Sequence, residues 1–300
     1  MEIYKNIVLS QIPRVLSLMD RNKDSDTYGC FDRPYWHYKT IDFPNSRLQE
    51  GILLLALLYK NNFKGNLYYN KNKVLEWCKA SINFWSKIQD KDGSFSEVYP
   101  HEHSFIATSF TAYAITEAML MLKLKPNKAV EKAGNWLIRN ENLLVSNQMA
   151  ASVAALNNIY LLTNKTKYKI ASRKKLNKLM NLKKDNYFLE YKGYDFGYLS
   201  ICLGYLHDYF LKTKDESIKN SIEKANNFIL KHLDKDGNYD NRKTSRGTQY
   251  LYIKGLDGRI RNKHMNGLKG NKIINPSWMD DRFFIPLLID YLQAYLERKK

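Results

Sequence analysis

Side chains able to move protons or hold an acidic ligand occur in five separated runs of the chain. Residues 97–103 supply Glu97, Tyr99, Glu102 and His103, with His101 two positions before His103. A tyrosine or histidine there can remove a proton beside a uronate, whereas Glu97, Glu102 and Asp195 are the carboxylates from which a hydrolase would draw its acid and base. Tyr194 is the matching proton donor. Arg33 or Arg246 would neutralise a substrate carboxylate as charge builds in the transition state. Tyr35, Trp36, His37, Tyr198, Gln249, Tyr250, Trp278, Asp280, Asp281 and Arg282 complete a binding set in which rings stack on sugar faces and charges meet hydroxyls. In an extended segment His101 and His103 would share one face and could reach one metal ion, but spacing fixes no third ligand, so no cofactor is assigned. Asp280 and Asp281 would equally serve to cap a final helix.

The elements that must position these runs are helices. Val74, Leu75, Cys78, Ile82 and Trp85 recur at three- and four-residue spacing, Asp92-Gly93 breaks the pattern, and Ser104 caps a nearly uncharged helix reaching Leu122. A one-faced helix followed by one that is apolar all round predicts an outer and an inner layer. The same alternation returns along the chain: 3–19 with 46–60, 72–89 with 104–122, 128–140 with 146–162, 167–182 with 195–211, and 216–233 with 280–297. The expectation is an all-α barrel of concentric helix pairs, five clear and a sixth allowed for, with residues 1–300 as a single domain. The Gly-Leu-Asp-Gly and Asn-Gly turns predict a β-hairpin-like insertion near 250–272. Outer-to-inner connections are long and hold nearly all the chemistry-bearing residues. In an alternating barrel they emerge at one end, so the five runs converge on one mouth, where inner-helix N-termini favour an anion.

With 48 Lys and Arg against 30 Asp and Glu, the net charge of +18 fits an anionic partner, although AT-rich codon usage produces a similar lysine excess. The partner expected is an acidic glycan or a diphosphate-linked small molecule rather than nucleic acid. Three scattered cysteines without a CxxC indicate neither a disulfide framework nor a thiolate zinc site. The longest wholly apolar run, Ile52 to Leu58, is too short to span a bilayer and the N-terminus lacks a signal-like apolar stretch; the expected location is cytoplasmic.

Lys79-Ala80, Phe84, Gln89 and Asp92-Gly93-Ser94-Phe95 align without gaps with Lys224-Ala225, Phe228, Leu233 and Asp236-Gly237-Asn238-Tyr239, and a fainter copy starts at Lys132-Ala133. This spacing resembles the QW repeat of squalene and hopene cyclases and of related prenyltransferase-like toroids. The resemblance implies an α/α toroid in which Phe84, Gln89, Gly93 and Phe95 tie an outer helix to the turn after it. It fixes the fold and not the reaction, since toroids also host polysaccharide lyases, epimerases and glycosidases. The first reading is therefore a glycan-active enzyme, a lyase, epimerase or hydrolase, working on an acidic sugar or an intermediate of surface-polysaccharide biosynthesis. The alternatives are a terpenoid cyclase or prenyltransferase-like protein taking an isoprenoid diphosphate, and a non-catalytic glycan- or protein-binding toroid. Trp278-Met279-Asp280-Asp281 departs from the DxDD motif of protonating cyclases. Asp195, Cys202 and His207 lack the close Asp-x-Cys spacing of the prenyltransferase zinc site.

Overall fold

The computed structural model describes residues 1–297, with Asp281 described in its backbone only. Eleven α-helices appear among them: α1 (Glu2–Leu18), α2 (Gly51–Lys60), α3 (Asn72–Lys87), α4 (Phe105–Leu122), α5 (Lys128–Arg139), α6 (Ser146–Thr163), α7 (Thr166–Asn181), α8 (Phe196–Thr213), α9 (Lys219–His232), α10 (Gly258–Lys269) and α11 (Asp281–Glu297). Odd-numbered helices up to α9, together with α10, form the outer layer. The inner ring is α2, α4, α6 and α8, then a non-helical stretch over 248–256 with a turn at Lys254–Gly255, then α11, which packs back on α2 and closes it. The α/α toroid expected from the alternation is thus present, with six outer elements.

Patterning explains the layers. In α3 only one stripe is buried, whereas twelve of the eighteen residues of α4 are. Helix α4 is long and apolar enough to cross a bilayer, yet it sits inside the ring with two-thirds of its length buried. Ala150, Ala151, Ala154 and Ala155 give α6 a thin profile, so α4 and α8 approach it closely from either side.

The turns follow the repeat. Gly93 has φ +101°, and a Cβ there would lie 2.4 Å from the Lys132 carbonyl oxygen, so the turn can press against α5 only with glycine. Gln89 Nε2 donates to Gly93 O (3.0 Å) and Ala129 O (2.9 Å), and Phe95 stacks on Trp85 at 4.5 Å. A copy that the alignment passes over occurs in the first unit. Gly29, at φ +95°, abuts the Ala80 carbonyl with Phe31 two residues on, and Gln49 Nε2 reaches Gly29 O and Ser81 O.

The hairpin expected near 250–272 does not form. Asp257 caps Arg259 N at 2.7 Å and starts α10, which carries a buried face of Ile260, His264 and Leu268. Helical periodicity outweighs the turn dipeptides there. The one sheet among the described residues is the antiparallel pair of β1 (Lys183–Lys184) with β2 (Tyr187–Phe188), beside isolated bridges of Glu190 to Val145 and Gly193.

Candidate active site

A narrow cavity of about 50 Å³ occupies the bore of the toroid. Leu53, Ala114, Ile201, Pro286 and Ile289 give it apolar walls, and Tyr113, Tyr205 and Tyr252 give it aromatic ones. Tyr113 meets Tyr205 edge-on at 4.8 Å. Four ionisable or amide groups interrupt this surface: Glu50, Lys254, Asp290 and Gln293.

Two of them, Lys254 and Asp290, depend on the non-helical stretch that takes the place of a sixth inner helix. Such a stretch leaves its N–H and C=O groups without helical partners, and each must be met from its neighbours. Ser200 accepts from Tyr252 N (2.9 Å), Asp195 from Thr248 N (3.1 Å), and the two oxygens of Asp290 from Ile253 N (2.6 Å) and Lys254 N (3.0 Å). Arg261 Nε donates to Ile253 O at 3.0 Å. Glycines on α8 make room: a Cβ at Gly197 would lie 2.2 Å from Thr248 Cγ2. Side-chain alternation then turns Tyr252 and Lys254 into the bore and buries Leu251 and Ile253 behind them.

Asp290 is 4% exposed. Burial raises its carboxyl to about 7, against the pull of the Ile253 and Lys254 N–H groups and of the Lys254 and Arg261 charges. A substantial share of the molecules therefore carries a protonated acid on an aromatic wall at neutral pH. Burial also raises Glu50, which its partner Arg47 pulls back down.

Polar clusters flank the cavity on both sides along the bore. Toward the C-termini of the inner helices, Lys254 Nζ pairs with Asp208 and reaches Tyr113 Oη (3.2 Å) and Gln293 Oε1 (3.0 Å), while Tyr113 Oη donates to Asp208. Beyond it Lys212 binds Glu117 and Asn158. On the mouth side Arg47 pairs with Glu50 and lies over the Phe110 ring at 4.4 Å, and Arg282 pairs with Glu97.

The residues expected at the mouth are there, but they are distributed around it. Glu97 is held between Arg282 and Arg47, the latter 4.0 Å away. Glu102 accepts from Glu97 N (2.9 Å) and Val98 N (2.7 Å), which orders the loop, and Tyr99 is exposed. His101 and His103 both have positive φ, so they do not share the face of an extended segment; His101 turns to Asp90 (3.1 Å) and His103 to Asp92 (3.0 Å) and Ser94. Among the described residues no three His, Cys, Asp or Glu side chains converge as a metal site. Tyr194 packs among Tyr187, Phe196 and Phe228, and Asp195 caps α8 through Tyr198 N at 2.9 Å.

Pro34–Tyr38 forms one helical turn. In it Trp36 Nε1 donates to Leu18 O at 2.6 Å, His37 lies between Trp36 and Tyr38, and Arg33 faces the Tyr38 ring at 5.1 Å; Tyr35 is half-buried. Arg246 bridges the Tyr191 and Tyr198 rings at 4.7 and 5.0 Å. Tyr250 lies 6.1 Å from Tyr252, and Gln249 and Trp278 line a mouth-side groove with Tyr239 and Lys272. Asp280 accepts from Arg282 N and Phe283 N, each 3.1 Å, and so caps α11. The side chain of Asp281 lies outside the described residues. None of the residues expected to be catalytic lines the bore cavity.

Sequence reasoning missed the cavity acids because it looked to the loops. A signal existed: Asp290 within Ile-Pro-Leu-Leu-Ile-Asp-Tyr-Leu is a charge in an otherwise apolar run, as is Asp208 within Leu-Gly-Tyr-Leu-His-Asp-Tyr-Phe, the partner of the cavity's Lys254. Such charges are either paired or face a cavity.

No known protein-family profile matches the chain, and no curated protein matches it. Solved structures do. Type II terpene cyclase MstE from Scytonema superposes over the whole of both chains with a TM-score of 0.58 at 9% identity. Its complex with the product merosterolic acid A covers 98% of this chain and 97% of that one, with the same score at 10% identity. The GH76 α-mannanase BT2949 of Bacteroides thetaiotaomicron is more distant, at a TM-score of 0.44, 16% identity, 84% of this chain and 70% of that one. Ring closure, the Gly-centred turns and the full-length superposition together give this chain the α/α toroid fold of the prenyltransferase and squalene-hopene cyclase-like proteins.

Proposed function

We propose that the chain is an enzyme that carries out acid-initiated chemistry on a compact, mainly apolar, isoprenoid-like molecule in the bore cavity. The observation that carries this reading is Asp290, a buried carboxyl raised to about 7 on a wall shared with Tyr113, Tyr205 and Tyr252. Its two backbone hydrogen bonds fix the carboxyl while leaving each oxygen a lone-pair direction for a proton. The proton passes to one carbon of an alkene, whose π pair forms the new C–H bond. The adjacent cationic carbon is taken up by a second alkene of the same molecule, and loss of a proton to the carboxylate restores Asp290. Tyrosine faces lower the energy of the cation. MstE, of like fold, has been solved with geranylgeranyl dihydroxybenzoate as substrate.

Of the mouth residues, Arg33, Tyr198, Arg246, Gln249 and Trp278 are proposed to guide the substrate in. The glycan reading retains one specific observation, the groove in which Tyr239, Gln249, Lys272 and Trp278 set rings beside amide and ammonium groups. A largely apolar bore lined by three tyrosines favours the isoprenoid.

The test is incubation with a panel of linear polyprenyl compounds and acidic oligosaccharides, with products followed by mass spectrometry. A cyclised isomer of unchanged mass from the wild type, falling by about 10²–10⁴ in Asp290→Asn, is expected. Turnover of the oligosaccharides, or cyclisation indifferent to Asp290→Asn, would overturn the proposal.

A further inference from the structure

The lysine excess is unevenly placed. Connections at the mouth, residues 19–50, 88–104, 140–145, 182–195, 233–247 and 270–280, hold 14 Lys and Arg against 18 Asp and Glu. Connections at the opposite end, residues 61–71, 123–127, 164–165, 214–218 and 257, hold six cations against three acids. All six are lysines, Lys64, Lys71, Lys123, Lys125, Lys165 and Lys214, and all are exposed. A codon bias cannot produce this division, because it is blind to the end at which a loop emerges.

Local energetics argue the same way. Helices α3, α5, α7 and α9 start at this end, and each carries a lysine within its first two residues: Lys73, Lys128, Lys167 and Lys219. A cation in the first turn opposes the helix dipole, and acids are the stabilising choice there. Lys71 and Lys165 even occupy the N-cap positions of α3 and α7 without a side-chain cap bond. Among the described residues Lys64, Lys71, Lys123, Lys125 and Lys214 pair with no acid. These five are left to solvent, whereas Lys73, Lys165 and Lys219 are offset by Glu76, Glu131 and Glu216.

Apolar side chains stand among these lysines. Leu67 is 77% exposed, and Tyr69, Leu161 and Leu211 are exposed on the same end of the ring. A nucleic-acid backbone has no use for exposed leucines and is commonly met by arginine forks. Lysines around protruding leucines match a surface of anionic headgroups over acyl chains.

We propose that the end of the toroid opposite the mouth docks on an anionic lipid bilayer, with Leu67 entering the interface and the mouth facing away from it. This inference is independent of the chemistry assigned to the bore. The experiment is co-sedimentation of the full chain with phosphatidylcholine vesicles, with and without about one-third phosphatidylglycerol. Binding is expected to the anionic vesicles only. It should drop at least about hundredfold when Lys64, Lys123, Lys125 and Lys214 are all changed to Glu, at roughly fivefold or more per lysine. Leu67→Asn should weaken it severalfold without changing the charge, and Arg246→Glu at the mouth should leave it unchanged. All these side chains are exposed, and circular dichroism of each variant checks its fold. Failure to bind anionic vesicles, equal binding by the fourfold variant, or retention of duplex DNA but not vesicles would overturn the proposal.

Discussion

At the scale of single residues, two buried carboxyls set the behaviour of the protein with pH. Asp290 is raised from 3.8 to about 7 and Glu190 from 4.5 to about 8, both chiefly by burial. A carboxyl raised in the folded state favours folding below its ordinary value, and that contribution is lost as pH rises through the folded value. Thermal melts should therefore show wild-type stability falling between about pH 5 and 8, and Asp290→Asn should flatten the fall. Glu190 faces Asn147, which donates through its backbone N and its Nδ2 at 2.9 Å each, while Asn147 Oδ1 has no partner. In Glu190→Gln the Asn147 amide can turn and pair both ways. Urea unfolding at pH 9 should find that variant about 1 kcal/mol more stable than wild type.

At the scale of elements, the turns and the non-helical inner stretch carry the geometry. Gly93→Ala must adopt φ +101° and meet the Lys132 carbonyl, so a loss of about 2–4 kcal/mol is expected in urea unfolding. Gln89→Ala removes two hydrogen bonds and leaves the Gly93 carbonyl unmet, for a loss of about 1–3 kcal/mol. Gly197→Val should push Thr248 and Tyr250 away from α8 and disturb the bore, read as a changed near-ultraviolet tyrosine signal with helix content kept. The outer-inner alternation was legible because burial on one face or on all sides leaves a distinct pattern, and helix ends agree with it to within a few residues. The non-helical 248–256 stretch was not legible. Its partners, Ser200 and Asp290, lie 52 and 37 residues from the amides they bind, and nothing local announces them. Gln49 was missed for a related reason, since it does for Gly29 what Gln89 does for Gly93 from a different place in the chain.

At the scale of the whole molecule, alternation brings the long connections to one mouth, and that much follows from the sequence. How they are used there does not: Glu102, Asp195 and Asp280 are taken up by backbone N–H groups, because loops that cross a rim must satisfy their own amides first. The two acids of the bore lie deeper: Glu50 immediately before α2 and Asp290 on α11, both raised by burial. Charge shows a similar division between the two ends, visible only once each loop is assigned to an end.

The central claim is that the bore holds a carboxylic acid whose titration is shifted up to near neutral pH. The direct measurement is a carbon-13 NMR titration of the Asp290 carboxyl in the full chain, assigned by its loss in Asp290→Asn. A midpoint near 7 is the result expected. A midpoint in the ordinary carboxylate range, near 4, would show Asp290 ionised at neutral pH and would contradict its role as the proton donor.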